Sequence, residues 1–106
     1  MQIKAESADR KLVLHLRGEL DHHAARPLML RIARELEYAL PLETELDFSG
    51  VTFMDSSGIA VALHTMQQMK QLGGRMCIKS PSAQVKKVFA AAGLQKLMGL
   101  EEVHEK

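Results

Sequence analysis

A chain of 106 residues, with 46% hydrophobic and 25% charged side chains, has room for one domain and can build a core without metal or disulfide staples. A formal net charge of +1 and a single cysteine exclude a strongly basic nucleic-acid binder, an internal disulfide and a thiolate metal cluster, and suit a reducing cytosol. No apolar run approaches the length that spans a bilayer, and the first residues, with Lys4, Glu6, Asp9 and Arg10, lack a signal-peptide core, so the expected location is cytoplasmic.

Residues 2–5 read as a short edge strand, Ser7-Ala8-Asp9 as a turn and residues 11–17 as a strand, so a hairpin opens the fold. Gly18 ends that strand. Asp21 is placed to cap a helix with Pro27 in its first turns, where a missing N–H costs little. Leu28, Ile32, Leu36 and Leu40 recur every four residues and give this helix one buried face, and Pro41 stops it at about Leu40. A short strand at 44–48 precedes a helix at 59–72, whose apolar positions Ile59, Leu63, Met66 and Met69 share a face. Gly73-Gly74 turns into a strand at 76–79, in which Cys77 is expected to be a buried, inert thiol. Pro81 starts a third helix with Val85, Val88 and Phe89 on one side, Lys86 and Lys87 on the other, and Gly93 as its C-cap. Leu94, Leu97 and Met98 are expected to close the domain. The fold class is α/β: a small mixed sheet, hairpin first, then parallel strands joined by right-handed crossovers.

Phe53-Met54-Asp55-Ser56-Ser57-Gly58 sets two hydroxyls and a carboxylate where a strand gives way to a helix. The first N–H groups of a helix lack internal partners and the peptide dipoles add there, so an anion is tolerated or favoured, and a phosphoryl group on one serine would fit. The plain alternative is that these residues only cap the helix, as Asp and Ser do elsewhere. Asp21-His22-His23 invites a metal, but adjacent helical residues do not share a face, and His15, His64 and His104 complete no ligand spacing, so no metal site is expected. Ser56 and Ser57 also lack the Gly-x-Ser-x-Gly elbow of a hydrolase, since Met54 and Asp55 stand two positions before them. No Gly-x-x-x-x-Gly-Lys loop occurs. No catalytic residue and no cofactor are expected. The seven methionines, Met66, Met69 and Met76 among them, read as core filling.

Gly18-Glu19-Leu20-Asp21-His22-His23, followed about thirty residues later by Leu46-Asp47-Phe48-Ser49-Gly50-Val51-Thr52-Phe53-Met54-Asp55-Ser56-Ser57-Gly58, closely resembles the anti-anti-sigma factors. Within the STAS domain superfamily the resemblance is to antagonists of the sporulation anti-sigma F factor. It continues through Gln71-Leu72-Gly73-Gly74, Ser80-Pro81-Ser82-Ala83-Gln84-Val85-Lys86-Lys87-Val88-Phe89 and Ala92-Gly93-Leu94-Gln95-Lys96-Leu97, so residues 1–106 are expected to form one STAS domain with helices along one side of the sheet.

The resemblance implies a partner-switching protein. In that family the unmodified antagonist captures an ADP-bound anti-sigma factor and frees its sigma factor, while the ATP-bound form is a serine kinase that phosphorylates the antagonist. A serine phosphatase reverses the modification. By position the phosphoacceptor is Ser56, Ser57 is a neighbouring contact residue, and Asp21, His22, His23, Asp55 and Gly58 belong to the partner-facing surface. Residues 38–43 look shorter than in many relatives, and Ile59 stands where leucine is common; neither touches the acceptor. A STAS scaffold without a phosphorylation cycle is the rival from another class, and a small hydrolase a more distant one.

Overall fold

Strict alternation in the second strand decides which face of the sheet is covered. In the computed structural model, which describes residues 1–94, β2 (Lys11–Leu20) buries Leu12, Leu14 and Leu16 and turns Lys11, Val13, His15 and Arg17 the other way. The third strand, β3 (Glu43–Met54), repeats the pattern with Thr44, Leu46 and Phe48. Its parallel partners place Leu14, Leu46 and Ile78 side by side, Ile78 belonging to β4 (Arg75–Lys79). An antiparallel edge strand, β1 (Gln2–Ala8), completes the sheet in the order β1-β2-β3-β4. The helices α1 (His22–Ala39), α2 (Ser57–Gln71) and α3 (Ala83–Ala91) add Leu28, Ile32, Leu36, Val61, Ala62, Met69, Val85 and Phe89 to one continuous core. The expected hairpin followed by parallel strands is present. Among the described residues no helix is long and apolar enough to cross a membrane.

Several boundaries differ from the sequence reading, for reasons of pairing. The hairpin turn is Asp9-Arg10, with φ of 54° and 65°, rather than Ser7-Ala8-Asp9, because a two-residue loop matches the strand twist only with both residues left-handed. Arg10 is held there by its carbonyl, which accepts from the N–H groups of Leu42 at 2.9 Å and Glu43 at 3.3 Å. Gly18 does not end β2. The strand passes two register shifts and reaches Leu20, which pairs with Met54, so β3 also outruns the expected 44–48; cross-strand pairing overrides local propensity.

The helices differ in the same way. Leu40 leaves the buried face of α1 as a left-handed C-cap, 54% exposed, since the following Pro41 disfavours a helical conformation there. Pro27 lies beyond the first turn, so it does remove a helical bond, the one to the His23 carbonyl; His23 is exposed to water. The buried stripe of α2 is Gly58, Val61, Ala62, Thr65 and Met69, while Ile59, Leu63 and Met66 are half-buried. The small residues of that stripe let the helix lie close. Ser82, not Pro81, caps α3: its Oγ accepts from the Val85 N–H at 3.2 Å. Ala92 is the C-cap and Gly93 follows at φ 70°. Cys77 is half-buried rather than buried, because its neighbour Ile78 takes the core side. Leu94 is buried; Leu97 and Met98 lie outside the described residues.

The open face carries an ion network that no local pattern announces. His15 donates from Nε2 to Glu6 Oε1 at 3.0 Å and from Nδ1 to Asp47 Oδ2 at 2.7 Å, an arrangement that requires the charged imidazolium. The bonds to Glu6 and then Asp47 raise the His15 pKa above its ordinary value, and the His15 bond lowers that of Glu6. Burial pushes Asp47 up, but the Ser49 N–H at 2.9 Å and His15 outweigh it and the carboxyl ends below its usual range.

Because folding raises the histidine pKa, its contribution is complete below the unfolded value of about 6.5 and is lost as pH rises through the folded value. The carboxylates contribute above their unfolded values of about 4 and lose that contribution as pH falls through their depressed ones. The urea midpoint of the wild type is therefore expected to decline from about pH 6 to pH 9, and His15→Gln to flatten that decline. Parallel pH profiles for the two proteins would remove this network from the account.

Candidate functional site

Two helices start where two parallel strands end together. Leu20 pairs with Met54, and the Asp55 N–H donates to the Leu20 carbonyl at 3.3 Å, so Asp21 and Asp55 leave adjacent strand ends. The carboxyl edge of parallel strands is where open α/β sheets place their sites. At the first helix Asp21 is the N-cap, extended in backbone, with Oδ1 accepting from the Ala24 N–H at 3.0 Å. The expected cap is present.

At the second helix the division of labour is different. Asp55 Oδ1 accepts from the Ser57 N–H at 2.8 Å, and the Asp55 carbonyl accepts from Gly58 at 3.0 Å. Ser56 occupies the N-cap position with helical backbone angles, φ −63° and ψ −15°, and makes no side-chain capping bond. It is exposed, whereas Ser57 is half-buried and Gly58 buried. Asp55 therefore does the capping, and the Ser56 hydroxyl is left at the surface without that task.

Gly58 is demanded by close approach. A Cβ built there would run into Cγ and Sδ of Met54 and lie 3.1 Å from Leu20 Cδ2. Met54 and Leu20 are both fully buried, so any side chain at this position requires Met54 to repack or the start of α2 to move.

Three amides at the start of α2 are already engaged: Ser57 with the Asp55 carboxylate, Gly58 with the Asp55 carbonyl and Ile59 with the Ser56 carbonyl at 3.0 Å. A charge on Ser56 would be favoured only by the helix dipole and opposed by the Asp55 carboxylate beside it. It would stand displayed to solvent.

His22 and His23 are both exposed, edge to face at 5.4 Å and 69°. Asp21 and His23, with Met1, Glu19 and Arg31, line a groove of about 720 Å³ between α1 and the hairpin; Asp55, Ser56 and Ser57 are not on its walls. The structure thus brings Asp21 and Asp55 to one edge and directs His23 along α1. Among the described residues no group of three or more His, Cys, Asp or Glu side chains is arranged to hold a metal ion.

Two residues at this edge were not singled out from the sequence. Phe53, three positions before Ser56, is 43% exposed; the only signal was its adjacency to Met54 in a strand, where one of two neighbours must face outward. Gln84 of α3 reaches back to β3, accepting from the Met54 N–H at 3.0 Å and donating to the Met54 carbonyl at 2.7 Å. A polar residue on a helix gives no local sign of a partner so distant in sequence.

A profile of the STAS domain matches residues 2–106. The chain is 33% identical over 95 residues to an anti-sigma F factor antagonist from Lysinibacillus sphaericus, covering 89% of this chain and 81% of that protein. Among solved structures, the anti-sigma factor antagonist SpoIIAA in its unphosphorylated form is similar with a TM-score of 0.79 and 32% identity, covering 90% of this chain and 84% of that one. The Bacillus cell fate determinant SpoIIAA in its phosphorylated form gives a TM-score of 0.70 and 31% identity, over 90% and 86% of the two chains.

Proposed function

Since the chain belongs to the STAS domain family, among its anti-sigma factor antagonists, we propose that it is an anti-anti-sigma factor switched by phosphorylation of Ser56. Unmodified, it binds a cognate anti-sigma factor with serine kinase activity and releases the sigma factor; phosphorylated, it lets go, and a serine phosphatase resets it. The chain contributes the acceptor hydroxyl and the partner the nucleotide and the catalysis. The reading places one STAS domain over residues 1–106, working in the cytoplasm.

The observation that carries this proposal is the exposed Ser56 hydroxyl, relieved of capping by Asp55 at the carboxyl edge of the sheet. Similarity to a protein solved in both phosphorylated and unphosphorylated forms supports it. In this reading Asp21, His22, His23, Asp55, Ser57 and Gly58 belong to the partner-facing surface, joined by Phe53 as an apolar contact. The buried Gly58 acts there by keeping the backbone low, so that a kinase site can approach Ser56 closely.

Incubation with purified anti-sigma F factor of Lysinibacillus sphaericus and ATP, followed by mass-spectrometric mapping, is expected to find phosphate on Ser56. Phosphate on Ser57 alone would refute the assignment. A stable self-assembly on size-exclusion chromatography, indifferent to the kinase and nucleotide, would favour a scaffold instead.

A further inference from the structure

We propose that Gln84 is a positioning residue for Ser56, an amide that makes the bonds a neighbouring strand would make and fixes the backbone from which the acceptor loop departs. The inference rests on Ser56 being the phosphoacceptor and adds what holds it in place. The pairing of β4 ends at Lys79, opposite Asp47, yet β3 continues to Met54. Among the described residues, no strand lies beside the outer edge of β3 beyond Asp47. On its inner side the chain is tied to β2 by the Leu20–Met54 pairing and the bond from the Asp55 N–H to the Leu20 carbonyl. The Met54 N–H and carbonyl face outward, at a residue that is fully buried, where unpaired backbone groups are costly.

A glutamine is suited to this place because its side-chain amide carries an acceptor and a donor side by side, as a peptide group does. Oε1 takes the Met54 N–H and Nε2 gives to the Met54 carbonyl, at 3.0 and 2.7 Å. Glutamate keeps the acceptor, now charge-assisted, but sets its second oxygen against the Met54 carbonyl, which also only accepts; an apolar residue of similar shape keeps neither bond. Gln84 is itself fixed from α3, through the Ser82 cap and the buried Val85 and Phe89. Two residues after Met54 comes Ser56, whose neighbour Ser57 is tied to Asp55. The acceptor thus hangs between β2 on one side and the Gln84 amide on the other.

The test compares wild type, Gln84→Glu and Gln84→Met in the full chain. In the free proteins, amide exchange by NMR is expected to quicken by about tenfold or more at Met54 and Ser57 in Gln84→Met, with a smaller change in Gln84→Glu. The amides of Leu14 and Leu46 in the central strands should be unaffected. With the Lysinibacillus sphaericus anti-sigma F factor and ATP, kcat for Ser56 phosphorylation should fall by about tenfold or more in Gln84→Met, with KM changed by less than about twofold, and Gln84→Glu should recover part of the loss.

Unchanged loop exchange and unchanged kcat in Gln84→Met would overturn the proposal. So would uniform quickening that includes Leu14 and Leu46, since that marks a residue that merely supports the fold. A wild type left unphosphorylated by this kinase counts against the acceptor reading, and the exchange data then judge the clamp by themselves.

Discussion

Ser56→Asp is expected to fold like the wild type and to fail to hold an anti-sigma factor, while Ser56→Ala holds it and cannot be switched off. Folding should be spared because the hydroxyl is exposed and makes no side-chain capping bond; substitutions at such surface positions stay within about 0.5 kcal/mol. A carboxylate at the N-terminus of α2 gains about 0.3–1 kcal/mol from the dipole, partly offset by the adjacent Asp55. Binding is another matter. A partner that covers this edge would have to bury an unpaired charge next to Asp55, which costs about 2–5 kcal/mol, or roughly 30-fold to several thousandfold in Kd. A phosphoryl group, with about 1.5 to 2 negative charges, should act more strongly still. Isothermal titration of the three proteins against ADP-bound anti-sigma F factor measures this. A Ser56→Asp protein that binds as tightly as the wild type would sink the switch.

The engaged amides sharpen what such a switch does. With the N–H groups of Ser57, Gly58 and Ile59 already satisfied, the loop has no anion nest waiting to be filled. Phosphorylation is therefore expected to leave the loop's conformation nearly alone and to act on the contact surface. In the proposed switch the message would be carried by the charge that a partner meets, not by a rearrangement of this fold. Stability and regulation would then be separated at a single residue, since the Ser56 side chain makes no capping bond at the start of α2.

How far the sequence makes each feature legible depends on how local its physics is. The Asp21 cap, the opening hairpin and the strand-to-helix junction at Asp55-Ser56 are local: the residue types and their spacing of one to four positions carry the physics. Which side chain at the junction does the capping is equally local, but residue type alone does not decide it. It depends on Ser56 adopting helical angles, so that Asp55 reaches the Ser57 N–H from one position further back. The strands outrun Gly18 and Phe48 because pairing between β2 and β3 carries poor local formers as far as Leu20 and Met54. The clamp from Gln84 to Met54 spans 30 residues and the bond from His15 to Asp47 spans 32. Neither leaves a period in the sequence, since each partner looks like an ordinary polar residue of its own element.

The largest loss of stability at the acceptor end is expected from Phe89→Ala. α3 is nine residues long, too short to be helical by its own propensity, so packing must hold it. Phe89 supplies much of that packing: it is fully buried and meets the fully buried Phe48 of β3 edge to face, with ring centroids 6.0 Å apart at 71°. Removing a buried phenylalanine ring costs about 3–5 kcal/mol, a large share of the 5–15 kcal/mol typical of a domain. Phe48→Ala should cost a similar amount. Because the rings touch, the double variant should lose less than the sum, by about 0.5–1.5 kcal/mol. Urea unfolding followed by circular dichroism measures all three. A loss below about 1 kcal/mol for Phe89→Ala would mean that α3 is fastened by something other than this ring. The choice of residue also tests the chain of support to the site. Phe89 takes no part in the hydrogen bonds between Gln84 and Met54, yet it anchors the helix that carries Gln84. If α3 loosens, exchange at Met54 should quicken before the central strands open. If Met54 stays protected until Leu46 opens, α3 and the sheet unfold as one unit, and the acceptor loop is as stable as the core behind it.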